Sequence, residues 1–218
     1  IWWHLLDVTL VSQVERGLHL VRIGRNAAGV PVRSLNLANG VVQQSLFFTD
    51  RPIEALSPQA VRWGPTHPED LAQPPFTVTK PKLEGKTAGF FVRDVRGHRY
   101  LFKLDPPESP ELLSGSEAVT SKLLCALGYH VPSYEVAFVR PEDLRIAPQA
   151  SGKDAHGRPT AFREAELAGL LGGRVRDGVV RVSASKMLDG EILGPAKFKR
   201  FRDCAEIRAL KLAYAWVN

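Results

Sequence analysis

The chain has 218 residues and carries 29 Lys plus Arg against 23 Asp plus Glu, a formal net charge of +6; 44% of it is hydrophobic and 24% charged. That is globular composition, too apolar for a disordered chain, and no run approaches the roughly 18 consecutive apolar residues of a membrane helix. The two cysteines, Cys125 and Cys204, make no disulfide framework and have no metal-ligand spacing.

Residues 1–75 read as an irregular extension. After Ile1, the residues Trp2, Trp3, Leu5 and Leu6 form a short apolar opening with no basic region before it and no cleavage site after it, so no signal peptide is visible. Strands are expected over His19–Ile23 and Val30–Leu35, with turn residues Asn26, Gly29, Asn36, Asn39 and Gly40 around them. Ser57-Pro58 signals a capped helix start with proline at the first position. Trp63-Gly64-Pro65 and Gln73-Pro74-Pro75 read as linker.

From residue 76 the pattern changes. Phe76–Thr79, Phe90–Arg93 and Tyr100–Leu104 are strand candidates, the last two joined through Gly97 as a hairpin. Pro106, Pro107 and Pro110 forbid continuation. Ser114–Leu127 is helical, with Val119, Leu123, Leu124 and Leu127 on one face and Gly128 as the stop. Glu135–Val139 is a strand and Arg140–Leu144 a turn. Residues 148–160 form a loop, Phe162–Leu171 a helix, and Gly178–Ser183 a strand. A basic run, Lys197, Lys199, Arg200 and Arg202, precedes a last helix whose Ile207, Leu210, Tyr214 and Val217 recur at helical spacing up to an uncapped Asn218. Both ends read as those of a fragment.

Several chemistries are absent. There is no His-Glu-x-x-His, Gly-x-Ser-x-Gly or Cys-x-x-Cys, and the six histidines are scattered. Glu84-Gly85-Lys86-Thr87 is not a P-loop: Lys80 stands where its first glycine belongs, and a strand follows instead of a helix. Gly85 and Gly89 instead bracket a hairpin tip, where the missing Cβ lets backbone approach phosphate. Lys103 is a lone cation in an apolar strand, costly to bury without a partner. Glu117, on the first turns of the next helix, is a candidate partner, and a strand Lys held by a helix Glu positions ATP phosphates in kinases.

Tyr100-Leu101-Phe102-Lys103-Leu104-Asp105-Pro106-Pro107, Ser116-Glu117-Ala118 and Leu127-Gly128-Tyr129-His130-Val131-Pro132 resemble a family of bacterial proteins with a protein-kinase-like fold, distantly similar to the HipA and CotH kinases. Phe48-Thr49-Asp50-Arg51, Glu84-Gly85 with Gly89-Phe90, Arg140-Pro141-Glu142-Asp143-Leu144, Arg208-Ala209-Leu210 and Ala215-Trp216-Val217-Asn218 agree in order. The resemblance implies an α+β fold: an N-terminal extension over 1–75, a kinase-like N-lobe over 76–145 (antiparallel sheet plus one helix) and the start of a helical C-lobe over 146–218. It implies ATP with magnesium as cofactors. Gly85, Thr87 and Gly89 would cover the phosphates, Lys103 would contact them with Glu117 as ion-pair partner, and residues 136–143, with Arg140 and Glu142, would hold the nucleotide at the hinge. The family's His-x-Asp, its downstream Asn and its later metal-binding Asp would all lie beyond residue 218. No catalytic residue is therefore expected in this chain, which by itself should not transfer phosphoryl groups.

The residues also admit plainer readings. Lys103 can snorkel into water from an edge strand, Ser114-x-x-Glu117 is a capping-box pattern, and the two glycines can be ordinary turn residues. The alternative functions are a non-catalytic kinase-fold module that binds a protein partner and a basic nucleic-acid-binding domain. The second is the less favoured of the two, because no recognised motif accompanies the basic run or its interleaved Phe198 and Phe201.

Overall fold

The computed structural model describes residues 20–30, 37–38, 41–42, 48–52, 55–83, 87–153 and 157–190. The chain divides into two compact units, Ile1–Leu35 with Ala196–Leu212 and Asn36–Pro195 with Ala213–Asn218. The boundaries expected after residues 75 and 145 both fall inside the second unit. The basic run and the last helix expected from the sequence lie outside the described residues.

The described part of the first unit is helix α1, Leu20–Ala27, where a strand was expected over 19–23. The short apolar run fits either period. The chain closes helical bonds beyond it, Ala28 N–H to Gly24 O and Val30 N–H to Arg25 O, and Gly29 at φ 68° turns it out of the helix. Of the strand expected at 30–35, residues 31–35 lie outside the described set.

The second unit is a mixed α+β fold whose main sheet is mostly antiparallel. A two-residue pairing, β1 (Leu37–Ala38) with β2 (Val41–Val42), precedes helix α2 (Pro58–Trp63), where Ser57 caps the Ala60 amide as its sequence signals. Then come β3 (Phe76–Pro81), β4 (Gly89–Arg93), β5 (Arg99–Leu104), helix α3 (Leu112–Ala126), β6 (Tyr134–Val139) and β7 (Leu144–Ile146). After these lie β8 (Ser151–Lys153), β9 (Pro159–Ala161), helix α4 (Glu164–Leu171), β10 (Val175–Arg176) and β11 (Val179–Lys186). The region 148–160, expected to be loop throughout, thus contains the short hairpin β8–β9.

In the sheet, β3, β4 and β5 form a meander, β11 inserts beside β5, and β6 pairs with the far side of β11. Among the described strands of this sheet, β7 alone runs parallel to its partner, β3. Strand alternation sorts the two faces. Val78, Phe90, Val92, Tyr100, Phe102, Val180, Val182 and Ala184 are almost wholly buried on one of them. The chain after β7 closes over that face with Ala147, Ala150, Phe162, Leu167 and Leu171. Phe76 and Phe90 meet Phe102 edge-to-face at 5.1 and 5.9 Å, a favoured aromatic geometry.

The opposite face carries α3 over β11, β6 and β5. The helix buries Ser114, Ser121, Leu124 and Cys125. Three of the four residues expected on one helix face, Val119, Leu123 and Leu127, are 57%, 41% and 44% exposed. The reason is positional: Glu117 and the two serines occupy the sheet-facing side, and successive turns put residues 112, 119, 123 and 127 opposite them. Leu124 alone of the expected set turns inward. Gly128, at φ 94°, ends the helix as expected; a Cβ there would stand 2.2 Å from Thr49 O.

Candidate functional site

Lys103 projects from near the end of β5 on the α3 side, and its Nζ pairs with Glu117 Oε1. Each side chain keeps about one-fifth of its surface exposed, 22% and 21%. The pair is therefore sheltered but reachable. Lys103 does not snorkel away from protein partners: its Nζ also donates to Tyr134 Oη at 3.3 Å, with the ring centroid 5.9 Å off.

The capping-box alternative for Glu117 is not realised. The helix starts at Leu112, so Ser114 sits inside its first turn. The Ser114 amide and hydroxyl donate to Asp105 Oδ1 and Oδ2, at 2.8 and 2.7 Å. Asp105, from the loop after β5, is the cap, with its negative charge at the helix N-terminus where the dipole favours it. Glu117 is left for other partners. Its Oε2 accepts hydrogen bonds from Tyr134 Oη on β6 and Ser183 Oγ on β11. Ladder register explains the convergence, since Lys103 stands opposite Ser183, and Ser183 opposite Val136, two residues beyond Tyr134. Burial, then the Glu117 contact, push the Tyr134 phenol above its ordinary range, so it stays a proton donor.

Tyr134 and Ser183 are the site residues that sequence reasoning missed. A signal for Ser183 exists: Arg181, Ser183 and Ser185 alternate with Val180, Val182 and Ala184, a two-faced strand with a polar side. Nothing near Tyr134 in the sequence points to Glu117.

The other expected positions fall as follows. Gly85 lies outside the described residues. Thr87 presents its carbonyl to Lys82 Nζ at 2.9 Å. Gly89 sits directly opposite Lys103 in the β4–β5 ladder, and a Cβ on it would stand 2.4 Å from Phe102 O. It is a strand glycine required by close backbone approach, not a turn glycine. The structure does not bring Arg140 and Glu142 to Lys103. Arg140 is bound to Asp143 at 2.9 Å and lies near Glu142 at 3.8 Å, at the far end of β6. The hinge expected at 136–143 is strand β6 and the single 3₁₀ turn after it, with β11 between β6 and β5. At Val136 that is a separation of about 10 Å from β5, two strand spacings.

Arg51, Thr66, Asp70 and Arg96 brace this arrangement from the side. Arg51 donates to the carbonyl and Sγ of Cys125 near the end of α3, both at 3.0 Å. Thr66 Oγ1 donates to Tyr134 O at 2.7 Å and accepts from Tyr134 N at 2.9 Å. Asp70 binds Lys186 and Ser133. Arg96, from the β4–β5 turn, grips Asp94 and the carbonyls of Glu69 and Leu71.

A cavity of about 240 Å³ lies beyond the N-terminal end of α3, lined by Asp105, Glu111, Phe138, Arg174 and Arg181 among others, but not by Lys103 or Glu117. Arg181 there is committed to Ser114, Glu111 and Asp105, and Arg174 to the carbonyls of Asp105 and Leu170. Among the described residues, no group of three or more His, Cys, Asp or Glu is placed to hold a metal ion, and no helix is long and apolar enough to cross a membrane. No protein-family model, curated protein or solved structure matches this sequence.

Proposed function

We propose that the second unit is the N-terminal lobe of a kinase-like fold and that Lys103, held by Glu117, contacts the phosphates of ATP. The observation that carries this reading is the ion pair itself. It joins the third strand of an antiparallel meander to the helix that follows, the placement protein kinases use to orient the α- and β-phosphates. The two groups lie on the half-open face of the sheet, while the opposite face is closed by the chain after β7. Gly89 brings the β4 backbone beside Lys103, as a strand leaving a phosphate-covering loop requires. The chain leaves β11, the neighbour of β5, at Met187, and residues 187–190 are a better-placed hinge than 136–143. Arg140 and Glu142 are not part of the site so proposed. ATP would bring magnesium with it, and the described residues supply no ligand set for that ion. In this reading Lys103 and Glu117 bind and orient phosphate.

The test is a thermal-shift titration with Mg-ATP of the wild-type protein beside Lys103→Ala. A ligand bound only by the native state adds about 2.7 kcal/mol of apparent stability at a hundredfold excess over Kd. A rise in wild type that is lost in Lys103→Ala is the expected result; no rise at millimolar Mg-ATP from folded protein removes the nucleotide reading. A non-catalytic module that binds a protein partner is the second reading. It is favoured by the exposed stripe Leu112, Val119, Leu123 and Leu127 on the outer side of α3.

A further inference from the structure

The Lys103–Glu117 pair does not stand alone. Glu117 is held by three donors from three strands: Lys103 on β5, Tyr134 on β6 and Ser183 on β11. A glutamate has three side-chain torsions, and a sheltered carboxylate with a single partner is free to swing with it. Two further donors on Oε2 fix the plane of the carboxylate and so the point to which Oε1 draws the ammonium. Tyr134 contributes a second time, because its oxygen also accepts from Lys103.

Tyr134 is itself fixed by the chain before the sheet. Thr66, only 5% exposed, satisfies both its amide and its carbonyl, the pairing that a neighbouring strand would otherwise supply at a sheet edge. The adjacent Ser133 hydroxyl is shared between Pro65 O and Asp70 Oδ2, at 3.0 and 2.7 Å. A continuous set of hydrogen bonds therefore runs from Thr66 through Tyr134 and Glu117 to Lys103.

We infer that Tyr134 is a positioning residue for the phosphate-binding lysine, and that Thr66 sets its place, so that residues 65–70 are part of the nucleotide site without touching the nucleotide. This rests on the ATP-binding reading above. It goes beyond a lysine–glutamate pair alone by making the pair permanently assembled: α3 cannot rotate Glu117 away without breaking bonds to two strands besides the one that bears Lys103.

The two ideas separate by comparing Mg-ATP with adenosine, which lacks the phosphates that Lys103 would contact. Both ligands are titrated against wild type, Tyr134→Phe and Thr66→Val, with the melting temperature of each free protein recorded. In Tyr134→Phe the Kd for Mg-ATP should rise about tenfold, the scale of one lost hydrogen bond to a charged group, while that for adenosine stays within about twofold. Thr66→Val, which keeps the side-chain shape, should do the same to a smaller extent. Equal weakening of both ligands would make Tyr134 merely structural, and unchanged Mg-ATP affinity in both variants would overturn the inference while leaving the ATP site standing. Wild type that binds neither ligand overturns both readings together.

Discussion

Gly89 and Lys103 face each other across one rung of the sheet, and their constraints differ in kind. The glycine is dictated by space: a methyl group there would stand 2.4 Å from Phe102 O and 3.2 Å from the Lys103 Cα, both backbone atoms that cannot step aside. Gly89→Ala should therefore cost about 3 kcal/mol, the upper range for overpacking, read as a lowered urea midpoint with unchanged slope. An unchanged midpoint would show that β4 shifts freely and that the glycine answers to something else. The lysine is dictated by charge. A cation inside Tyr-Leu-Phe-Lys-Leu is anomalous in the sequence alone, and a glutamate on the next helix is its natural partner, so this half of the cluster was legible. The other half was not. Tyr134 and Ser183 lie 17 and 66 residues from Glu117, and no local pattern reports a contact made only by the tertiary register. Arg140 and Glu142 show the opposite failure: a motif correctly seen as a unit serves its own turn, through Asp143.

Helix α3 shows why element existence was easier to read than element orientation. Its span was visible from apolar spacing and from Gly128. Which face turns inward was not, because the stripe with the larger side chains points outward and the inward one is small and polar. A helix normally buries its apolar face; this one gives up part of that burial to carry Glu117 to the sheet. Its start is correspondingly dependent on a single external group. Asp105, 6% exposed, accepts both the amide and the hydroxyl of Ser114, and lies 3.8 Å from Arg181. Asp105→Ala strips the cap and leaves Ser114 and Arg181 short of an acceptor, at a cost of about 2 kcal/mol, the upper range for lost caps. Thermal unfolding measures it. Because α3 also carries Glu117, the same variant should weaken Mg-ATP binding; a variant as stable as wild type would show that α3 starts on its own propensity.

At the scale of the molecule, the strand order explains what the linear sequence could not. β3, β4, β5 and β6 were legible over most of their length and β11 over its first part, while β7 and β10, only three and two residues long, were not. That β11 returns from forty residues downstream of β6 to lie between β6 and β5 was not legible, since nothing in a strand's own residues names its neighbour. The same closure makes residues 65–73, whose two ends alone read as linker in the sequence, into a brace joined to the sheet through two carboxylates that respond oppositely to pH. Burial raises the Asp70 carboxyl, but its bonds to Lys186 and Ser133 outweigh that and hold it below its ordinary value. Its contribution is present above the unfolded pKa and is lost as pH falls through the folded one. Glu135 accepts the Ala72 amide at 2.6 Å, and burial leaves its pKa raised despite that bond and the Arg96 charge. Its folded state favours the neutral acid, so its contribution is full below the unfolded pKa and fades as pH rises through the folded one. At pH 7, Asp70→Asn should therefore lower the melting temperature, and Glu135→Gln, which keeps an acceptor for Ala72, should raise it. Both differences should shrink as pH falls into the carboxylate range, where the wild-type groups are themselves protonated. If neither variant changed the melting temperature at pH 7, the brace would depend on the shape of these side chains rather than on their charge.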